Sequence, residues 1–495
     1  MFALLAACGR PGEPTIVDES TETETEAETE TSASESETGL VCEDPQPETC
    51  ATAIDDDCDG SALCDPAETF AWSSVLGSEG WSQATALDVA PDGTIWVGGE
   101  LDGTIVIAGQ PITALANRGR NLFVARLDPA GAGLSGQAFV GFDDAALIDL
   151  AVDGQGRAAL LGTFSGGLDL GGGVLDGPEF PDQQVFLAGY DPLGQPRFSQ
   201  TWIGSRDAGA LAIGVDDELV ITGRATPGLD LGGGPLAHTS FVAAFDALGQ
   251  HRWSRSFELG SPAGLRGLDV DDEGSIVVLA DYAALQIELD GFALDGDGSD
   301  LVLARFDPEG VVIAAERIAC DMCRAHDLRV LVGGDILIAA RFATRLTIAD
   351  QTLDHPASAR SIGFARLDPD GVPRWLIGIP DADSGRHARV SADASGGASL
   401  VLDMAGAHDL GGGLLSTPGP GLNAFVLDWT AQGEYRWSQR YGGVDPLEVT
   451  AIVTDDQGGL LLTGLANGTI DFGGGEQLLD SPPGKAYVAR LLPPA

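Results

Sequence analysis

The chain has 495 residues with 69 Gly, 27 Pro, 75 Asp+Glu and only 26 Lys+Arg, for a formal charge of −49. That balance excludes wrapping nucleic acid or lying on anionic lipid headgroups, both of which need basic surface. An apolar content of 44% supports a real core, and many glycines with 6% aromatics point away from helical bundles, toward short strands joined by many turns.

The acid is unevenly spread. Residues 1–68 carry 19 acidic residues and one basic residue, Arg10, for a net of −18, and the remainder of the chain carries −31. The first stretch, 1–8, is a short apolar run ending Leu5-Ala6-Ala7-Cys8. It resembles the lipobox of bacterial lipoproteins, which implies an acylated Cys8 as the mature N-terminus. The basic n-region and longer apolar core of a signal peptide are not present, so the true start is expected upstream of Met1. Residues 9–41 alternate Glu with Thr and Ser and hold too little apolar surface to fold. They predict an extended, disordered acidic tether for a lipid-anchored body.

Residues 42–68 are rich in cysteine and acid. With Cys8 set aside, six cysteines remain, an even number in a chain expected to be exported, so disulfides among Cys42, Cys50, Cys58, Cys64, Cys320 and Cys323 are the default expectation. The first four allow three pairings, and the sequence does not choose among them. Asp55, Asp56, Asp57 and Asp59 surround Cys58 ahead of Gly60, a segment similar to the Asp-Asp-Asp-Cys-Asp-Gly motif of bacterial surface proteins. The resemblance implies a Ca²⁺ site; a disulfide-stapled acidic loop is the other reading. Thr52-Ala53 stands where the motif has Asn-Gly. Cys320-Asp-Met-Cys323 lacks a βαβ surround, a following His and a second ligand pair, so a local disulfide is expected rather than redox, haem or zinc chemistry.

From residue 69 to 495 one unit repeats. Phe123-Val-Ala-Arg-Leu-Asp-Pro-Ala-Gly131 recurs with its Asp at 128, 191, 246, 307 and 368, then as Thr430 and Leu492, at intervals of 63, 55, 61, 61, 62 and 62 residues. Leu87-Asp-Val-Ala-Pro-Asp-Gly-Thr-Ile-Trp-Val97 and Leu268-Asp-Val-Asp-Asp-Glu-Gly-Ser-Ile-Val-Val278 keep the same beat and read as hairpins. Asp-(Leu/Phe)-Gly-Gly-Gly at Asp169, Asp230, Asp409 and Asp471 reads as a tight turn rather than a phosphate loop, because no helix and no Lys-Ser/Thr follow. Each unit thus predicts about four strands, the fourth holding Trp-Ser as in His251-Arg-Trp-Ser. The last unit stops before its fourth strand, and Phe70-Ala-Trp-Ser-Ser-Val-Leu-Gly77 supplies it from the other end. The expectation is an all-β, seven-bladed β-propeller closed by an N-terminal strand that completes the last blade.

The unit resembles the seven-bladed β-propeller (SBBP-type) repeats of bacterial surface and secreted proteins, which implies a fold and an extracytoplasmic setting without one activity. The function expected is that of an exported lipoprotein, at the outer membrane or cell surface. It would be a monomer held to the membrane through its anchor alone, binding or scaffolding an unknown protein or glycan without catalysis. The alternative is a propeller enzyme of hydrolase, lyase or quinoprotein type at the channel mouth. His-Glu-x-x-His, Gly-x-Ser-x-Gly and sialidase boxes do not occur, so no catalytic residue is assigned. The repeated Asp-Pro-x-Gly acids read as turn formers before they read as ligands. Asp271, Asp272, Asp455 and Asp456 likewise read as solvated turns before they read as calcium loops.

Overall fold

The computed structural model describes residues 69–493, apart from 115–118, 140, 142, 261–263, 357–359, 381, 383–386 and 480–483. Cys8, Cys42, Cys50, Cys58, Cys64, Asp55, Asp56, Asp57 and Asp59 lie outside the described residues. No helix occurs among those described, so none is long and apolar enough to cross a membrane.

Seven four-stranded antiparallel blades follow one another around a ring. The first is built from Ser82–Val89, Ile95–Leu101, Asn121–Leu127 and Gly133–Phe139, in that order from the innermost strand outward. The innermost strands of the next six are Ala145–Val152, Ser205–Ile213, Leu265–Val270, Arg324–Val330, Ala388–Ala392 and Leu447–Thr454. Blade 7 is completed by Phe70–Val75, which pairs antiparallel with Lys485–Leu491 from Phe70↔Leu491 to Val75↔Tyr487. The two ends of the ring are therefore joined by a hydrogen-bonded ladder. Lys485, the single lysine, is buried at this seam and donates from Nζ to the Gly80 carbonyl at 2.5 Å.

Strand periodicity explains the core. Side chains two apart share a sheet face, so a strand between two blade interfaces must be apolar at every position. Ile276, Val278, Ala280 and Tyr282 pack toward blade 3, while Val277 and Leu279 on the same strand pack toward blade 5. All seven residues of Ile276–Tyr282 are buried. Seven such clusters, one between each pair of neighbouring blades, make a ring-shaped core.

Between the second and third strands of several blades lies a small hairpin that the four-strand reading of each unit omits. Examples are Thr104–Ile107 with Gln110–Thr113 and Gln286–Leu289 with Phe292–Asp295. The Asp-(Leu/Phe)-Gly-Gly-Gly segments are the tips of these hairpins, as where Asp169 accepts from the Gly171 and Gly173 amides. The hairpin of blade 5 also pairs with the outer strand of blade 4, through Ala319↔Thr347 and Cys320↔Leu346.

The Trp-Ser strand and the Asp-Pro-x-Gly turn recur together because they touch across blades. Trp253 Nε1 of blade 3 donates to the Pro308 carbonyl of blade 4 at 2.9 Å, and Trp72 and Trp375 make the same bond to Pro129 and Ala431. Under each indole lies the turn glycine of the next blade. Gly310 has φ +76°, and a Cβ there would stand 2.4 Å from the Trp253 ring. Gly310→Ala meets both backbone strain and a steric clash, and is expected to cost about 1–3 kcal/mol of stability. Urea denaturation of the purified variant measures this.

Candidate functional site

The innermost strand of each blade has one side without a strand neighbour, and such an edge leaves backbone groups to be satisfied. Here side chains of adjoining blades do it. Asp88 accepts from its own neighbour Val89 and, with its second oxygen, from Val152 of blade 2 at 2.7 Å. Asp149 does the same toward Leu211 of blade 3, Asp269 toward Val330 of blade 5 and Asp327 toward Val390 of blade 6. From the second strands, Asp281 accepts from Ala325 and Asp403 from Val449. Hydroxyls serve the remaining two junctions: Thr222 reaches the Leu265 carbonyl at 3.4 Å and Thr450 reaches the Ala84 carbonyl at 2.8 Å.

These groups line or flank a central channel with a cavity of about 260 Å³. Burial raises the pKa of Asp88 and Asp269, and of Asp149 to about 6. Arg329 stands among them. Burial works against its charge, yet Asp269, Asp327, Asp88 and Asp149 together push its pKa above the ordinary arginine value. The channel interior is thus a field of carboxylates with the Arg329 guanidinium among them, and Arg266 and Arg389 line the same cavity.

The mouth nearer the start of the innermost strands is different. Six of the seven strands break register just there with a β-bulge, at or beside Thr85, Ile148, Gly209, Arg266, His326 and Thr450. Blade 6 runs in regular register, with Arg389 paired to Val401. A bulge re-aims a side chain without engaging it in the ladder, so a repeated backbone device presents a non-repeated residue from blade to blade. Blades 4 and 5 contribute Arg266 and His326 at the bulge and the other bulged blades Thr, Ile or Gly, while Arg389 of blade 6 stands in regular register at the position that Asp149 and Asp327 hold in blades 2 and 5.

His326 reports the local field. Burial first, then Arg389, Arg341, His387 and Arg266, push its pKa down to about 3, so the ring is neutral at ordinary pH. Its Nδ1 accepts from the Ala388 amide at 3.3 Å, which leaves the proton on Nε2, and that atom is buried with no partner among the described residues. His387 Nδ1 lies 2.9 Å from the fully buried Asp403 carboxylate. Arg389 is held by the Thr450 carbonyl at 2.5 Å and the His326 carbonyl at 3.1 Å.

The acids singled out by the repeat are turns. Asp246 accepts from Leu248 and Gln250, both at 2.8 Å, and Asp128, Asp191, Asp307 and Asp368 make the same pair of bonds. Asp271 and Asp455 do likewise, and Asp455 also pairs with Arg490 Nε at 2.6 Å. By the antiparallel strand order, these turns occupy the face opposite the bulges. Among the described residues no group of three or more His, Cys, Asp or Glu is placed to hold a metal. Cys320 and Cys323 are joined by a disulfide.

Buried acids make stability depend on pH. Glu100 is 4% exposed and its pKa is raised to about 7, because burial and the neighbouring Asp144 outweigh Arg120. Burial likewise raises Asp428 to about 6. A folded-state pKa above the unfolded value means that the folded chain holds more protons, so stability falls as pH rises between about 4 and 7. Urea denaturation across that range is expected to show the fall, and Glu100→Gln to flatten its upper part.

No protein-family model matches the chain, and no curated protein matches it. Among solved structures it is similar to the WD40 domain of Neurospora crassa Pan2, at 11% identity over 84% of this chain and 95% of that one, with a TM-score of 0.44. It is similar also to a protein of unknown function from Dyadobacter fermentans, at 12% identity over 86% and 98%, with a TM-score of 0.40. A glucose dehydrogenase gives 10%, 84%, 98% and 0.32. Likenesses at this level carry no inference about chemistry; the propeller stands on its own sheet topology.

Proposed function

We propose that this chain is an exported, lipid-anchored binding module whose propeller presents the channel mouth to a protein or glycan without catalysis. The observation that carries the reading is the ring of bulges. A framework that repeats in its turns, core and inter-blade bonds varies from blade to blade at the one position aimed at the mouth, as a recognition surface on a rigid scaffold would. Acylation at Cys8, the acidic tether over 9–41 and the Cys-rich segment 42–68, with or without Ca²⁺ at Asp55, Asp56, Asp57 and Asp59, belong to the same proposal. So does the kinship with SBBP-type surface proteins.

The His387–Asp403 pair favours one second reading. A carboxylate that fixes an imidazole's orientation also serves a general base, so a hydrolase or lyase at this mouth is the alternative. No nucleophile is assigned beside the pair, and Asp403 spends its other oxygen on the Val449 amide.

Glycan-array and pull-down screens with the full chain are expected to return a ligand whose binding is lost when mouth residues are changed. Turnover of a substrate abolished by His387→Ala, with no stable ligand found, would replace this reading by the enzyme. In the native protein, mass spectrometry is expected to find acyl chains on Cys8, and an unmodified Cys8 would remove the anchor.

A further inference from the structure

The two halves of the channel mouth differ in what they still have to offer. In blades 7 and 1 the hydroxyls are already spent, Thr450 on the Ala84 carbonyl at 2.8 Å and Thr85 on the Leu147 carbonyl at 3.0 Å. Gly209 in blade 3 contributes no side chain, and Ile148 in blade 2 is 38% exposed. Arg266 in blade 4 is exposed and lines the channel, and its guanidinium makes no hydrogen bond with the described residues. Arg389, across blade 5, is fixed by two backbone carbonyls that neutralise none of its charge. Between them His326 keeps a proton on an unpartnered Nε2. The unspent groups that reach the mouth in this half are mainly donors, two of them cations, and Arg266 also stands near the buried Asp281 carboxylate, whose charge it helps to offset.

A planar fork of guanidinium donors matches a carboxylate. The number of charges it accepts is limited by the acids next along the strands. Asp149 directly succeeds Ile148, and Asp327 directly succeeds His326, so a carboxylate stands one residue deeper on two sides. Arg389 stands level with these acids and Asp281 lies near Arg266, so a second negative charge on the ligand would meet carboxylates and a monoanion suits the site.

Resting on the binding-module reading above, we propose that the blade 4–6 side of the mouth receives one carboxylate group of the ligand. Arg266 is its principal partner, Arg389 a fixed neighbouring charge, and the ligand's uncharged remainder faces Ile148 and Gly209.

The test is calorimetric titration of the full chain with acetate, D-galacturonate, D-galactose and inorganic phosphate. The carboxylates are expected to bind at least about tenfold more tightly than galactose or phosphate. Arg266→Met is expected to remove that preference in a chain that still folds, checked by circular dichroism, with a lowered melting temperature from the loss of the charge near Asp281. Arg266→Lys, which keeps the charge but loses the fork, is expected to fall between. Binding of galactose or phosphate equal to that of the carboxylates, no carboxylate binding, or binding untouched by Arg266→Met would each overturn the proposal. A neutral ligand from the array screen would overturn this inference and leave the binding module standing, whereas blank results in both experiments would overturn the two together.

Discussion

Each blade ends inward on a strand with one unpartnered side, and the molecule depends on how those seven edges are closed. Five junctions use carboxylates and two use threonine hydroxyls to engage a neighbour's backbone. An ionised carboxylate accepting two amides is a strong acceptor, roughly twice a neutral one, but it must be kept in a poorly solvated channel. The raised pKa values of Asp88, Asp149, Asp269, Asp281 and Asp403 are the sign of that cost, and Arg329 offsets part of it for the channel acids. Apolar packing between blades fixes their spacing, while these bonds fix their height relative to one another.

A ring held in that way can tolerate variety at its mouth. The bulged residue lies outside the ladder, so its side chain can change without removing a backbone hydrogen bond. Arg266, His326 and Thr450 occupy matching places on three strands with little in common chemically. The scaffold and the recognition surface are thereby nearly independent, although Arg389 and Thr450 show that a mouth residue can also be recruited to hold its neighbours.

The blades and their closure were legible in the sequence because the signals are local. An Asp/Gly turn flanked by apolar runs is read from ten residues, and the split unit is visible as a missing Trp-Ser strand at one end and a spare one at the other. The mouth was not legible. Its residues are far apart in the chain, and repetition, the signal that exposed the fold, is what they lack. Asp88 and Asp269 stood in plain sight within Leu-Asp-Val, where an acid in an otherwise apolar strand was the available clue. The sequence marks the small hairpins only where their tips are Gly-Gly-Gly, because their strands are no longer than four residues and as short as two.

The seam has a chemical consequence. Lys485 is the single lysine, and its ammonium is shut against the Gly80 carbonyl where the first strand meets the last. Apart from the chain terminus, the protein offers amine reagents one target, and that target is covered while the ring is closed. Acylation of Lys485 would therefore act as a clock for the parting of Phe70–Val75 from Lys485–Leu491, separating the opening of the ring from the melting of any individual blade.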